Sequence, residues 1–382
     1  MILERASGNP VYQLDLWMAG GDHCRRLLFD AAGDADLILV EGVMGFYDGS
    51  PSSADLSALF GIPAVVVISA ASIGQTFAAI AHGLTTYRDD ITFAGVLANG
   101  VASAKHAQMI AAGAADGARL LGSIWRSQTM SLPERHLGLV QPGEVDDLHT
   151  RLEAAAGAVA GTDLVDLLPE VEFSEPPAES APKLLEQLSI AVARDECFSF
   201  LYAANLRLLA KMGANLLYFS PLADRTIPPA DSLYLPGGYP ELYLERLEKN
   251  ATMKQSITAH FEADKPIYAE CGGMLYLLDR LTDREGRSGQ MVGLLPGHAV
   301  MQNRLAALGY HEAEFSAGTL RGHTFHHSLM QSPLAPAAVS KHLYDGSPGE
   351  AVYRLKKLCA SYLHLYFPSH PIACTELFLL NS

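Results

Sequence analysis

A cysteine at a sharp turn is the residue of this sequence best suited to covalent chemistry. The apolar run 266–270 predicts a strand; Cys271 follows it directly, with Gly272 and Gly273 before a second apolar stretch. Such a strand–turn–helix elbow exposes a nucleophile above the sheet, and glycines fit where a side chain would collide. The helix N-terminus favours the thiolate form of Cys271. A buried structural cysteine beside a glycine-rich turn is the alternative.

Two further segments offer groups that a cysteine nucleophile needs. Gly237 and Gly238 follow the predicted strand 232–235, at the strand end where open sheets place their binding loops. Their backbone N–H groups could form an oxyanion hole. His364 lies in an apolar, strand-like stretch and offers the base that activates a thiol. Taken alone, a histidine in such a stretch is more often a core residue than a catalytic base.

Two acidic residues near the N-terminus indicate a site for a metal ion and phosphates. The apolar run 35–40 predicts a strand that delivers Glu41 at its end, and a glycine-rich loop then carries Asp48. Carboxylates in that place can hold Mg²⁺ beside nucleotide phosphates. Acids that only cap a helix or stabilise a turn are common in such loops. The specific run Glu-Gly-Val-Met-Gly-Phe-Tyr-Asp-Gly instead favours a functional role for Glu41 and Asp48.

Strands and helices alternate in both halves, which predicts an α/β fold with parallel sheets covered on both faces. In the first half we expect further strands at 62–68, 93–98 and 120–124, and helices at 53–60, 75–87, 105–119 and 144–159. In the second half we expect strands at 188–193, 215–219, 232–235 and 266–270, and helices at 200–212 and 241–263. Four prolines and four glutamates within 169–183 indicate a linker. The predicted domains are therefore 1–165 and 188–382, joined by a linker at 166–187.

The composition limits the class of protein. The chain has 382 residues, 49% hydrophobic and 18% charged, which fits a globular protein of two or more domains. The net charge of −15 disfavours a nucleic-acid partner. We expect no membrane span and a cytoplasmic location, because neither a long apolar run nor a signal peptide is evident. Five scattered cysteines without C-x-x-C spacing indicate reduced thiols.

Taken together, Cys271, His364 and the Gly237–Gly238 loop resemble a class I glutamine amidotransferase domain in their order and spacing. The resemblance implies that Cys271 forms a glutamyl thioester, that His364 is the base, and that the two glycines lie by the oxyanion hole. Many such domains carry an acid two residues after the histidine, where this chain has Tyr366. The cobyrinate-type branch also lacks that acid, so the departure supports this branch.

The chain as a whole is similar to the cobyrinate a,c-diamide synthase family of cobalamin biosynthesis. The implied fold is an incomplete P-loop-type parallel-sheet ATPase domain followed by a class I glutamine amidotransferase α/β domain. Small departures are Leu16, where the family has proline, and Pro236, where it usually has glycine. We assign the histidines of 321–328 a structural role rather than a metal site. Besides the motifs above, the matching segments are 12–18, 41–49, 132–139, 193–200, 291–297, 321–328 and 361–364.

The family resemblance also implies the substrates and the reaction. ATP would phosphorylate the c- and then the a-acetate carboxylate of cobyrinate, and ammonia released from glutamine at Cys271 would displace the phosphate. Glu41 and Asp48 match the family's acids at the ATP and Mg²⁺ site. Hydrogenobyrinate is the alternative corrinoid substrate, and a homodimer is a possible assembly.

One family motif is missing from the sequence. The family begins with a glycine-rich phosphate loop that ends in Gly-Lys-Thr, and this sequence contains no Gly-Lys dipeptide. Three hypotheses stay open: a late start or split gene whose whole protein is a full ligase, a chain with glutaminase activity only, and a non-catalytic binding protein of the corrinoid pathway. For the chain as written we expect weak or absent ATP-dependent amidation, because the backbone cradle for phosphates is lacking.

Overall fold

The computed structural model describes residues 2–114, 118–133, 140–166, 169–177 and 182–379. These residues form two compact units: unit 1 holds residues 2–9 and 21–177, and unit 2 holds residues 10–20 and the chain from 182 onward. Residues 10–20 thus pack within unit 2, although the sequence-based bounds place them in the first domain. Parts of three predicted segments lie outside the described residues: 115–117 of a helix, 134–139 of the 132–139 motif, and 167–168 with 178–181 of the linker.

Unit 1 is built on a parallel sheet whose strand order, among the described residues, is β1-β2-β3. Its core lies where Phe77 and Ile110, from two helices, pack against Val96 of the central strand. The strands predicted near 62–68, 93–98 and 120–124 and the four predicted helices are confirmed, although the helix predicted at 105–119 is described only to Ala114 and the helix predicted at 144–159 begins at Leu148. The bounds are α1 Ile2–Ser7, α2 Gly21–Asp34, α3 Ser53–Phe60, β1 Ala64–Ser69, α4 Thr76–Thr86, β2 Phe93–Val101, α5 Ala104–Ala114, β3 Leu120–Trp125 and α6 Leu148–Ala160.

The strand predicted at 35–40 is wrong. The run follows α2 as irregular structure, and it pairs with no strand among the described residues. Its side chains face solvent: Leu39 is 81% exposed, and Val43 just beyond it is 88% exposed. A strand is stable only where a neighbour satisfies its backbone N–H and C=O groups, so an apolar composition alone does not form one.

Unit 2 is organised by a large mixed sheet, with the order β17-β12-β11-β14-β15-β16-β7-β6-β4-β5 among the described residues. The strands from β16 to β5 are parallel, and those from β15 to β17 pair antiparallel. A smaller sheet has the order β13-β10-β8-β9 in the same part of the chain. The bounds are β4 Ser189–Ala193, α7 Ala203–Lys211, β5 Asn215–Phe219, β6 Ser232–Leu235, α8 Leu244–Lys249, α9 Ala251–Glu262, β7 Ile267–Glu270, α10 Gly272–Leu277, β8 Leu278–Thr282, β9 Ser288–Gln290, β10 Leu295–Met301, β11 Ala307–Phe315, β12 Gly318–His326, β13 Ser328–Gln331, β14 Ala338–His342, β15 Pro348–Leu355, β16 Leu358–Ser361, β17 His364–Tyr366 and α11 Pro371–Cys374.

The helix predicted at 241–263 is divided in two at Asn250. The backbone of Asn250 has φ −81° and ψ 64°, which is not helical, and its side-chain oxygen accepts a hydrogen bond from the N–H of Met253. Asparagine is a favoured N-cap because it satisfies an unpaired N–H of the first helical turn. Asn250 therefore begins α9. The strands predicted in this half are confirmed, and no helix of the described residues is long and apolar enough to cross a membrane.

Asn205 on α7 anchors β17 to the core of unit 2. Its side-chain nitrogen donates to the carbonyl of Leu365, and its side-chain oxygen accepts from the N–H of Phe367, both at 2.8 Å. Asn205 is fully buried. Because both partners are buried main-chain groups, this one amide satisfies a donor and an acceptor that water does not reach.

Replacing Asn205 by alanine should therefore destabilise unit 2. We expect the free energy of unfolding to fall by about 2–4 kcal/mol, because two buried main-chain groups lose their partner. Urea unfolding followed by tryptophan fluorescence in a Trp125→Phe background measures this, since Trp17 then reports on unit 2. Asn303→Ala, at an exposed position, is the control and should change stability by less than about 0.5 kcal/mol. Equal effects of the two substitutions would contradict the anchoring role of Asn205.

Candidate active site

The strand–turn–helix elbow predicted at Cys271 is confirmed, but the cysteine is buried and not exposed above the sheet as expected. Cys271 joins β7 to α10 with φ 41° and ψ −105°, a backbone conformation that costs a residue with a side chain about 1–3 kcal/mol. Its N–H donates to the carbonyl of Ser361 at 2.8 Å, and its carbonyl accepts from the N–H of Leu275 at 2.9 Å. The strand ladder and the first helical turn thus hold the strained residue from both sides.

Close backbone packing explains the glycines around the cysteine. A Cβ atom on Gly272 would lie 2.7 Å from both the N and the O of Gly238, and one on Gly273 would collide with the carbonyl of Leu235. A Cβ atom on Gly238 would collide with the carbonyl of Cys197. The Gly237–Gly238 loop therefore lies directly against the elbow, as its expected place by an oxyanion site requires.

His364 begins β17 and lies against the same loop, at Gly237. A Cβ atom on Gly237 would collide with the His364 ring. The ring stacks on His323 of β12 with centroids 5.1 Å apart, and the edge of Phe200 approaches it at 6.2 Å. The structure thus brings His364, Gly237, Gly238 and the Cys271 elbow together around one loop, and contacts with His323 and Phe200 hold the imidazole.

Burial dominates the electrostatics of the cysteine–histidine pair. It raises the pKa of the Cys271 thiol, the charge of Glu241 raises this pKa further, and the N–H of Gly272 opposes the shift. Burial also lowers the pKa of His364 well below its usual range, and His323 adds to this effect. The thiolate preference expected from the helix N-terminus is therefore outweighed, because α10 has six residues and the site is dry. At neutral pH, these shifts keep Cys271 as a thiol and His364 as a neutral imidazole.

A carboxylate that sequence reasoning did not select lies beside His364. Tyr366, at the position where related domains carry an acid, packs its ring on Tyr202 at a centroid distance of 5.4 Å. Oε2 of Glu270 lies 3.9 Å from Nδ1 of His364 instead. Glu270 directly precedes the nucleophile on a fully buried strand. An acid at the end of an apolar strand was the available signal, since such a position is costly for a charge.

His326 of β12 is accounted for by local contacts. Nδ1 of His326 lies 3.0 Å from the carbonyl of Ser328, and its Nε2 lies 3.0 Å from Oε1 of Glu350. Its ring stacks on Tyr362 at a centroid distance of 3.6 Å. Across the part of the chain that is described, no group of three or more His, Cys, Asp or Glu residues is placed to hold a metal ion.

Residues 10–20 pack against β11, β12 and β17, the strand that carries His364. The Tyr310 hydroxyl donates to Oδ2 of Asp15 at 2.5 Å, and the Trp17 ring packs on the Tyr310 ring at 4.9 Å. The Arg321 guanidinium donates to the carbonyl of Trp17 at 3.0 Å. Met18 packs against Tyr366, two residues after His364. The 12–18 motif therefore belongs structurally to unit 2.

Glu41 and Asp48 lie in a solvent-exposed loop of unit 1 that leads to α3. The N–H of Asp48 donates to the carbonyl of Gly45 at 2.8 Å, which forms a tight turn. A capping box between Ser52 and Asp55 then starts α3. Carboxylate oxygens are suitable donors for Mg²⁺, which takes one or two protein carboxylates together with substrate phosphates. The donor chemistry of Glu41 and Asp48 fits that ion.

Comparison with known proteins agrees with the geometry of unit 2. A family model described as a CobB/CobQ-like glutamine amidotransferase domain matches residues 189–372, so this part of the chain is of the glutamine amidotransferase class. The hydrogenobyrinate a,c-diamide synthases of Stutzerimonas stutzeri A1501 and Pseudomonas aeruginosa PAO1 are 54% and 52% identical over 377 residues. These matches cover 99% of this chain and 88% and 87% of the two relatives.

A third relative is named for cobyrinate in place of hydrogenobyrinate. The cobyrinate a,c-diamide synthase of Herminiimonas arsenicoxydans is 46% identical over 382 residues, covering 99% of this chain and 86% of the relative. The chain belongs to the cobyrinate and hydrogenobyrinate a,c-diamide synthase family.

The raised pKa of Cys271 leads to a prediction about its reactivity. Without glutamine, iodoacetamide at pH 8 should alkylate Cys271 more slowly than it alkylates free cysteine, because the thiolate is scarce. Glu241→Gln should accelerate the reaction, because it removes a negative charge that raises the Cys271 pKa. Peptide mass spectrometry over time gives both rates. A wild-type rate equal to or above that of free cysteine would show that Cys271 is ionised after all.

Proposed function

We propose that this chain is a glutamine-dependent amidotransferase that converts acetate carboxylates of a corrinoid, cobyrinate or hydrogenobyrinate, into amides. The observation that carries the proposal is the strained Cys271 elbow, held against the Gly237–Gly238 loop, which also packs on the His364 ring. The printed names of the relatives supply the substrate and the reaction type.

The first half of the reaction uses the groups around the elbow. Neutral His364 takes the proton of the Cys271 thiol as the sulfur attacks the side-chain amide carbon of glutamine. The C–N bond then breaks, and His364 returns the proton to the leaving nitrogen, which departs as ammonia. Water hydrolyses the remaining glutamyl thioester to glutamate. The raised Cys271 pKa and the lowered His364 pKa suit this order, because charge separates only as the bond to substrate forms.

Gly237 and Gly238 act on the oxygen of the glutamine amide. Sulfur attack turns that carbonyl oxygen into an oxyanion, and aligned backbone N–H groups stabilise it more strongly than the neutral carbonyl. The contact between Gly272 and Gly238 supports this assignment, because it brings the loop backbone next to the nucleophile's own turn.

The second half of the reaction belongs to Glu41 and Asp48. We place Mg²⁺ on these two carboxylates, on the basis of their donor chemistry and exposure. Bound ATP with Mg²⁺ would supply the phosphoryl group that activates the corrinoid carboxylate toward ammonia. The two acids would hold the ion and keep its charge close to the phosphates.

The names of the relatives favour hydrogenobyrinate over cobyrinate as the corrinoid substrate. The two relatives with 54% and 52% identity carry that substrate in their names, whereas the relative with 46% identity carries cobyrinate. Rates measured with both corrinoids under the same conditions decide between them.

The glutaminase half is tested by removing its nucleophile. Cys271→Ala should reduce ammonia release from glutamine by about a thousandfold or more, because no thioester can form. Amide formation with ammonium chloride as the nitrogen donor should match that of the unsubstituted chain, even where that chain amidates only weakly, since this route bypasses the cysteine. Cys24→Ala, which removes a buried thiol of unit 1, is the control and should leave ammonia release intact. Glutamine hydrolysis by Cys271→Ala at the wild-type rate would contradict the proposal.

The magnesium assignment is tested by binding. Glu41→Gln and Asp48→Asn should each weaken Mg²⁺-dependent ATP binding about tenfold or more, because each removes a charged ligand. Isothermal titration with and without Mg²⁺ measures the effect, and Asp36→Asn, an exposed acid of the same segment, is the control. Neither substitution should change glutamine hydrolysis at Cys271. Equal Mg²⁺-dependent affinity in all four proteins would remove Glu41 and Asp48 from the site.

A further inference from the structure

The buried carboxylate of Glu270 lies next to His364, the proposed base, and has no role in the proposed reaction so far. Glu270 is 2% exposed, and its Oε2 lies 3.9 Å from Nδ1 of His364. Burying a carboxylate without compensation is costly. The hydrogen bonds around Glu270 therefore have to compensate for this cost.

The hydrogen bonds of Glu270 leave one acceptor position open on the side of His364. Oε1 accepts from the Tyr268 hydroxyl at 2.7 Å and from the N–H of Leu365 at 3.2 Å. Oε2 accepts from the Tyr234 hydroxyl at 3.0 Å. A carboxylate offers about four acceptor positions, so three donors fill all but one. The remaining position is on Oε2, the oxygen that lies near Nδ1 of His364.

The same carboxylate is connected to both members of the proposed catalytic pair. Glu270 is the residue before Cys271, and Leu365, whose N–H it accepts, is the residue after His364. Glu270 therefore links the end of the nucleophile's strand to the strand of the base. Two tyrosine hydroxyls fix its orientation, as outer groups fix a catalytic histidine in other sites.

We propose that Glu270 is the positioning residue of the site and completes a Cys271–His364–Glu270 arrangement in place of the acid missing at Tyr366. It accepts the Nδ1–H of His364, which leaves Nε2 to exchange the proton with the thiol, and it stabilises the imidazolium that forms. The present 3.9 Å separation shortens to a hydrogen bond as His364 gains its proton. This inference rests on the proposed glutaminase reaction.

The titration of Glu270 predicts the direction in which kcat changes with pH. Burial raises the pKa of Glu270 to about 8, and its hydrogen bonds from Tyr268, Tyr234 and Leu365 oppose the shift. Only the ionised carboxylate accepts a charge-assisted hydrogen bond from the imidazolium and stabilises its charge. We therefore expect kcat to rise as pH increases through about 8. The titratable groups that face Glu270 are Tyr234 of β6, Tyr268 of β7 and His364 of β17, with Cys271 and Tyr202 nearby.

The test is the pH dependence of glutamine hydrolysis by the full chain carrying Glu270→Gln. We expect kcat above pH 8 to fall about 10- to 100-fold, KM to stay within about twofold, and the rise near pH 8 to disappear. Glu245→Gln makes the same chemical change at an exposed helix position, and it should reproduce the wild-type profile. A Glu270→Gln profile that keeps the rise near pH 8 would overturn the inference, whatever its amplitude.

A second variant keeps the test decisive if Glu270→Gln does not fold. Tyr268→Phe retains the carboxylate and removes a hydroxyl that lowers its pKa, so the rise in kcat should move to higher pH. An unmoved rise would overturn the inference. Cys271→Ala separates the two claims: hydrolysis without Cys271 refutes the proposed function, whereas dependence on Cys271 with an unaltered Glu270→Gln profile refutes the positioning role alone.

Discussion

The contact between two backbone segments, at Gly272 and Gly238, is the constraint on which the rest of the site depends. A side chain on Gly272 would bring a carbon within 2.7 Å of the Gly238 N and O. This approach sets the position of the Gly237–Gly238 loop, and the loop in turn packs on the His364 ring. It also leaves Cys271 on a turn with positive φ, between the end of β7 and the start of α10. One close approach thus places nucleophile, candidate oxyanion donors and base.

Exclusion of water from this arrangement sets its electrostatic character. Burial opposes charge on each member, so it raises the pKa of Cys271 and of Glu270 and lowers that of His364. The resting site is then close to neutral, and charge develops only when glutamine binds and reacts. Such a site differs from one that stores a thiolate beside an imidazolium, because its reactivity toward other electrophiles is low until the substrate is present.

The sequence was informative where local chemistry decides the structure. The elbow, its glycines and most elements of both halves follow from apolar runs, turn residues and spacing, and the structure confirms them. Prediction from sequence failed where residues distant in the chain decide the structure. The run at 35–40 has strand composition but no pairing strand among the described residues, and the thiolate expected at Cys271 depends on burial that no local pattern reveals. Glu270 of β7 meets His364 of β17 although five strands separate β7 from β17 in the sheet order, an approach that no local pattern reveals.

The central claim is that Cys271 becomes covalently attached to the glutamyl group of glutamine. Rapid acid quenching during glutamine turnover, followed by peptide mass spectrometry, measures this directly. The account predicts a glutamyl adduct on the peptide that carries Cys271 and none on the peptides of Cys24, Cys197, Cys359 and Cys374. Ammonia release without an adduct on Cys271, or an adduct on another cysteine that keeps pace with turnover, would contradict it.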